Sequence, residues 1–200
     1  QSGNMGLHIT TTLYEIFIGT FWGIILGMIL GYLLAKNRLL EHLLMPLLLI
    51  MQISPKISIA PLFILWFGLG LTSKIALVIL VVSFPIMVAE SSALKKINSG
   101  YRDLMNILQA NRWQIFIRME LPCAFHEVIS GSKVAVTQAI TSAVIGEMMG
   151  AKAGLGYLLT NGAEMYDLNM ILSSIFLLSL LGLLLYEACQ IVEHRVLYWK

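Results

Sequence analysis

From residue 13 onward the chain is a succession of long apolar runs, each closed by a short polar stretch. A hydrocarbon layer about 30 Å thick takes roughly 20 apolar residues of helix to cross. Residues 13–35 meet that length, interrupted only by Glu15. The run 43–71 carries Lys56 and is broken by Pro46, Pro55 and Pro61, so it reads as one crossing with an irregular start. Residues 75–89 predict a third crossing with a possible kink at Pro85. Residues 128–149 and 170–192 predict a fourth and a fifth. The fold class expected is an all-α, polytopic transmembrane bundle forming a single domain over residues 1–200.

Composition strengthens that reading. Hydrophobic residues make up 58% of the chain, charged residues 12%, and the mean hydropathy is +0.83. A soluble domain carries about a quarter charged residues. The net charge of +2 is too small to suggest nucleic acid; placement says more. With Gln1 outside and the loops alternating, one side receives Lys36, Arg38, Lys95, Lys96, Arg102, Arg112, Arg118, Arg195 and Lys200. The other receives only Lys74 and Lys152. By the positive-inside rule the N-terminus lies outside and the C-terminus in the cytosol.

Within the first crossing, Gly19, Gly23, Gly27 and Gly31 recur every four residues, the spacing of a face that admits a neighbouring backbone. Cys123 and Cys189 have neither disulfide nor zinc spacing and read as small packing residues. No GxxxxGK[ST] loop is present, so this chain binds no ATP by a P-loop. His126–Glu127 would need a histidine at Ser130 to make a zinc protease motif, and His8, His42, His126 and His194 form no cluster, reading as surface or headgroup contacts. No catalytic centre, cofactor site or metal site is expected.

The polar segment 94–122 is the unusual part. Leu104, Ile107, Leu108, Ile115, Phe116 and Met119 recur at helical spacing, predicting two short amphipathic helices joined near Ala110–Asn111. Leu121–Pro122 should end the second. Such a pair suits docking to a cytosolic partner, lying on lipid, or packing on its own bundle.

The run NILQANRWQIFIRMELPCAF resembles the cytosolic coupling loop of bacterial ABC importer permeases. The segments PKISIAPLFILWFGLG (55–70) and GEMMGAKAGLGYLL (146–159) are similar to the branch that imports nitrate, sulfonates, taurine and vitamin precursors. The resemblance runs from about His8 to the C-terminus. It implies a type I importer fold with a five-helix core, and one further helix before the His8 region, so the five crossings are expected to be the core of six. It also implies a multi-pass protein of the bacterial inner membrane. Its partners would be ABC ATPase subunits that use ATP and magnesium, a second permease subunit (identical or paralogous), an external solute-binding protein and the bilayer.

In that family the loop reads Glu-Ala-Ala, three residues, then glycine. Here those positions hold Asp103, Leu104 and Met105, then Gln109. A glycine would tolerate positive φ in the turn, so Gln109 must turn differently or the turn shifts to Asn111. The resemblance implies that Leu104, Ile107 and Leu108 anchor the coupling helix by burial, while Arg102, Asp103 and Arg112 set its register. Ala110, Leu121 and Pro122 complete the loop. Trp113 either anchors that interface or contacts the bundle, and Arg118 faces headgroups.

Polar side chains inside a bilayer are costly and nominate a path. Thr137, Gln138, Thr141 and Ser142 cluster in the fourth crossing, with Gln138 the foremost candidate and interhelical hydrogen bonding the alternative. Lys56, beside a helix break, could draw an anionic solute or serve structure. Glu147, read as the only buried carboxylate, marks the outer end of that crossing, and Lys133 snorkels from its inner end. Residues 151–162 form a short outer helix or a re-entrant turn. The expected function is an importer permease for a small anion or a vitamin precursor. The rival is an ion-gradient-driven secondary transporter, which predicts intramembrane carboxylates and an internal repeat.

Overall fold

The computed structural model describes residues 5–196; Gln1 and Lys200, used above for orientation, lie outside them. The elements are α1 (Met5–Lys36), α2 (Arg38–Ile53), α3 (Lys56–Phe67), α4 (Leu71–Lys95), α5 (Ser99–Ile107), α6 (Arg112–Ile115), a π-helical turn (Phe116–Glu120), α7 (Leu121–Met148), α8 (Leu155–Glu164) and α9 (Leu168–Val196). Each long helix outruns its predicted apolar core at one end or both, because backbone hydrogen bonding continues into the polar flanks.

The glycine repeat decides how the helices assemble. Gly19 faces Val78, Gly23 faces Val82, Gly27 faces Ile86 and Gly31 faces Glu90. The order is the same along both helices, so α1 and α4 run parallel. The intervening segment must therefore return the chain along the whole length of α1. The pair α2–α3 makes that return, bent by 105° at its break. The bend has a local cause: Ser54 precedes Pro55 and is held extended (φ −57°, ψ 137°), while Pro55 stands at the N-cap of α3. Among the described residues, four helices are long and apolar enough to cross a membrane, and this broken pair brings the candidate spans to as many as five.

A second small-residue seam lies on α7. Ala135, Ala139 and Ala143 are fully buried against Val78, Val82 and Ile86 of α4. Gly131 faces Ala89 and Gly146 faces Lys74, so α7 runs antiparallel to α4. α4 is thus held between a glycine face and an alanine face. α9 returns antiparallel along α7, tied by the Lys133–Glu193 ion pair and by Ser130 Oγ donating to Glu193 Oε1 at 2.8 Å. Lys133 is consequently a paired residue of the bundle and does not snorkel alone. Cys123 is exposed, contrary to a packing role, and Cys189 is half-buried.

Charges separate to the two ends of the bundle. At the α5 end, Lys36 pairs with Glu120, Lys95 with Glu41, and Lys96 with Glu127 at 3.5 Å. At the α8 end, Lys74 Nζ lies 2.5 Å from Glu15 Oε1, and both side chains are buried. Lys74 is therefore no loop cation: it neutralises a carboxylate within the bundle.

The seam predicts a sharp positional contrast. A Cβ at Gly27 would stand 2.7 Å from both Ile86 Cβ and the Ser83 carbonyl oxygen, whereas one at Gly6 meets nothing within 4 Å. Gly27→Ala should destabilise the bundle by about 1–3 kcal/mol and Gly6→Ala leave it unchanged, as measured by thermal unfolding in detergent micelles.

Candidate functional site

The segment between α4 and α7 is built by caps. Asn98 starts α5, its Oδ1 accepting from Gly100 N at 2.9 Å. The helix closes with Gln109 N donating to Asn106 O and Ala110 N to Met105 O, both at 3.0 Å. This pattern usually places glycine where Gln109 stands. Gln109 takes the left-handed conformation itself, at φ 52°. The turn has not shifted to Asn111, which instead caps α6: Asn111 Oδ1 accepts from Gln114 N and Gln114 Oε1 from Asn111 N, both at 2.8 Å.

The expected second amphipathic helix does not stop at Leu121–Pro122. α6 runs through the π-helical turn into α7 without a break. Proline lacks an N–H, and its ring would press on the carbonyl four residues back. The wider turn, in which Leu121 N donates to Phe116 O, makes room for it. Glu120, buried within this turn, pairs with Lys36 and accepts from Tyr32 Oη at 3.2 Å, fastening the turn to α1.

None of the residues of α5 is buried. Leu104, Ile107 and Leu108 are 51%, 78% and 66% exposed and lie on one side of the helix or just past its end, which excludes packing on the chain's own bundle. Arg102 reaches back to the Leu94 carbonyl at 3.5 Å, and Asp103 is exposed. Trp113 is exposed but stacks on Phe116, with ring centroids 5.7 Å apart. Beside it opens a recess of about 620 Å³, walled by Ile29, Tyr32 and Leu33 of α1, Glu90 of α4, and Arg112 and Trp113.

The residues nominated for a path separate into two groups. Lys56 and Gln138 line one small recess with Gln52, Phe84 and Pro85, and no carboxylate borders it. Thr141 is exposed on α7 and Ser142 is buried; their hydroxyls donate to the Thr137 and Gln138 carbonyls of their own helix, at 3.0 and 2.6 Å. These hydroxyls make no bond between helices.

Glu147 lies elsewhere. Fully buried, it accepts from Thr12 Oγ1 and from Gly156 N, both at 2.6 Å. Thr12 Oγ1 also accepts from Leu155 N at 2.9 Å, and His8 Nδ1 accepts from Gly154 N at 3.1 Å. Three consecutive N–H groups at the start of α8 are thus capped by side chains of α1 and α7. Residues 151–162 contribute a true helix held by this clasp. His8, which also stacks on Tyr157, is one of its parts and not a headgroup contact.

Glu147 is also not the only buried carboxylate, since Glu15, Glu90 and Glu120 are buried as well. An ionisable residue within an apolar span is the signal that could have found Glu15; Glu90 and Glu120 lie outside the predicted spans. Among the described residues no group of histidine, cysteine and carboxylate side chains could hold a metal ion.

Comparison with known proteins adds three findings. Residues 23–198 match the family described as binding-protein-dependent transport system inner membrane component. The formylaminopyrimidine transport permease protein ThiX of Halalkalibacterium halodurans is 36% identical over 193 residues, covering 96% of this chain and 77% of that protein. The putative aliphatic sulfonates transport permease protein SsuC of Escherichia coli is 31% identical over 199 residues, covering 100% and 76%. A structure of the MetNI methionine ABC transporter in inward-facing conformations superposes with a TM-score of 0.84 at 21% identity, covering 98% of this chain and 99% of that one.

Two outcomes test the local geometry. Left-handed backbone costs a residue with a Cβ about 1–2 kcal/mol, so Gln109→Gly should stabilise the chain by about 1 kcal/mol, read as a rise in melting temperature. Hydrogen bonds to a charged group are worth about 1.5–3 kcal/mol each. Glu147→Ala should therefore raise amide hydrogen exchange at residues 154–158 by about 10-fold or more, with exchange in the middle of α4 little changed.

Proposed function

We infer function from the premise that this chain belongs to the binding-protein-dependent transport system inner membrane component family. It is the permease subunit of an ABC importer, a multi-pass protein of the inner membrane, and not an enzyme. We propose a role for each part of it.

The α5 end faces the cytosol and receives the ATPase subunit, which hydrolyses ATP with magnesium. Support comes from charge, since Lys36, Arg38, Lys95, Lys96, Arg102, Arg112, Arg118 and Arg195 all lie at that end. The opposite end offers only Lys152, because Lys74 is consumed by Glu15.

The observation that carries the coupling role is the exposed row Leu104, Ile107 and Leu108, on a helix none of whose residues is buried. Apolar side chains so presented gain about 1.5–3 kcal/mol each when covered. Arg102, Asp103 and Arg112 flank the row and set its register against the partner. Ala110 and Gln109 make the turn, and Leu121–Pro122 lie where α6 and the π-helical turn become α7. A displacement of the docked segment therefore passes into α7 along one continuous helix. Two permease subunits enclose the path, and the α8 end meets the external solute-binding protein.

The solute is a small organic or inorganic anion or a vitamin precursor. The ThiX and SsuC relatives support those two classes. Lys56, in a recess that no carboxylate borders and shared with Gln138, supplies a cation suited to the anionic class. Thr141 faces the same open side of α7, whereas Ser142 and Glu147 serve the bundle.

The test reconstitutes this chain with its ATPase and binding protein in liposomes. Leu104→Asp/Leu108→Asp should cut solute-stimulated ATPase at least about 10-fold, consistent with the area lost, while the melting temperature stays put because neither side chain packs in the bundle. Unchanged stimulation would overturn the coupling role. Stimulation by a formylaminopyrimidine or by an alkyl sulfonate, but not by both, would identify the solute class.

A further inference from the structure

Four carboxylates are buried in this bundle, and three of them are answered. Glu15 is paired with Lys74, Glu120 with Lys36 and Tyr32, and Glu147 with Thr12 and Gly156. Glu90 is the exception: it is 5% exposed, and no hydrogen bond or ion pair to it occurs among the described residues. It sits on α4 directly opposite Gly31, whose missing side chain leaves it room, and it opens into the 620 Å³ recess. An ionised carboxylate in such a place is strongly disfavoured unless a cation reaches it.

The lysines near that end are already engaged: Lys36 with Glu120, Lys95 with Glu41, Lys96 with Glu127 and Lys133 with Glu193. The cation that lines the recess itself is Arg112. It is exposed, unpaired with Glu90 in this structure, and placed at the first turn of α6, next to the turn at Gln109. A carboxyl and a guanidinium therefore wall one open recess without meeting. The carboxyl is fixed on the central helix and the guanidinium rides on the segment that docks the ATPase.

We propose that Glu90 is a positioning residue for transport: when the docked segment moves, Arg112 swings into the recess and pairs with Glu90, locking the segment to α4. The open recess is the unlocked arrangement and the closed recess the locked one. A guanidinium suits this role because it presents several donors to a carboxylate in fixed geometry. Closing the recess brings Trp113 and Phe116 down on Ile29 and Leu33, so the pairing occurs in an apolar, water-poor setting where it counts for more than at a surface. The proposal rests on the reading that the α5–α6 segment receives the ATPase.

The experiment uses the reconstituted transporter with its ATPase and binding protein. Glu90→Gln and Arg112→Gln should each lower solute-stimulated ATPase about 10-fold at saturating binding protein, with the concentration for half-stimulation little changed. The reversed pair Glu90→Arg/Arg112→Glu should recover stimulation to within about 3-fold of the parent. A separate reading replaces Cys123 and Cys189 by alanine and introduces Glu90→Cys/Arg112→Cys. Crosslinking of that pair by a short bismaleimide should differ at least 5-fold between the nucleotide-free and ATP-trapped complexes, a dependence that a purely structural role would not produce.

Crosslinking indifferent to nucleotide would overturn the proposal, as would a folded reversed pair no better than the single variants. If Leu104→Asp/Leu108→Asp still uncouples while these results fail, the lock alone is wrong. If that variant fails to uncouple, the docking reading falls first.

Discussion

Everything in this bundle depends on how closely α4 can approach its two neighbours. In a bilayer, lipid tails are as apolar as leucine, so helices associate through close packing and polar contacts and not by escaping water. Gly19, Gly23, Gly27 and Gly31 remove the side chains on one flank of α4. Ala135, Ala139 and Ala143 reduce them on the other. Val78, Val82 and Ile86 fill the space between, and their stiff β-branched side chains keep both faces in register. From the parallel order of the first seam follows the return of the chain through α2–α3, and from the antiparallel order of the second follows the placement of α5 and α8 at opposite ends.

The polar groups fasten what the seams bring together. Glu15–Lys74 joins α1 to α4, Glu120–Lys36 joins the π-helical turn to α1, and Lys133–Glu193 joins α7 to α9. The clasp on α8 works by a different route. A helix N-terminus leaves N–H groups without partners, and three of these are met by His8, Thr12 and Glu147. α8 is consequently tied to α1 and α7 at once, and those are the two helices that flank α4.

α6, the π-helical turn and α7 form one continuous rod. The π-helical turn absorbs Pro122 and buries Glu120 without interrupting the rod. The rod that begins at α6 therefore runs unbroken to the middle of the bundle, where Gln138 and Lys56 share a recess. Gln109, whose left-handed backbone sets the angle between α5 and α6, lies before the rod begins.

The sequence by itself determined the apolar runs, the face of α1 that packs, the amphipathic row Leu104, Ile107 and Leu108, and the family. Each of these is written in local periodicity or in a contiguous motif, which the chain carries whatever its partners do. Only the tertiary structure decided which charges meet. Lys74 read as a loop cation, Lys133 as a snorkelling one and His8 as a surface contact, because partners 59 to 146 residues away leave no trace in local spacing. The run through Pro122 was hidden for a related reason. Proline ends an ordinary helix, and whether a wider turn forms instead depends on Glu120 finding Lys36 and Tyr32 on another helix. The apolar runs become a permease core through contacts between helices that no single run encodes.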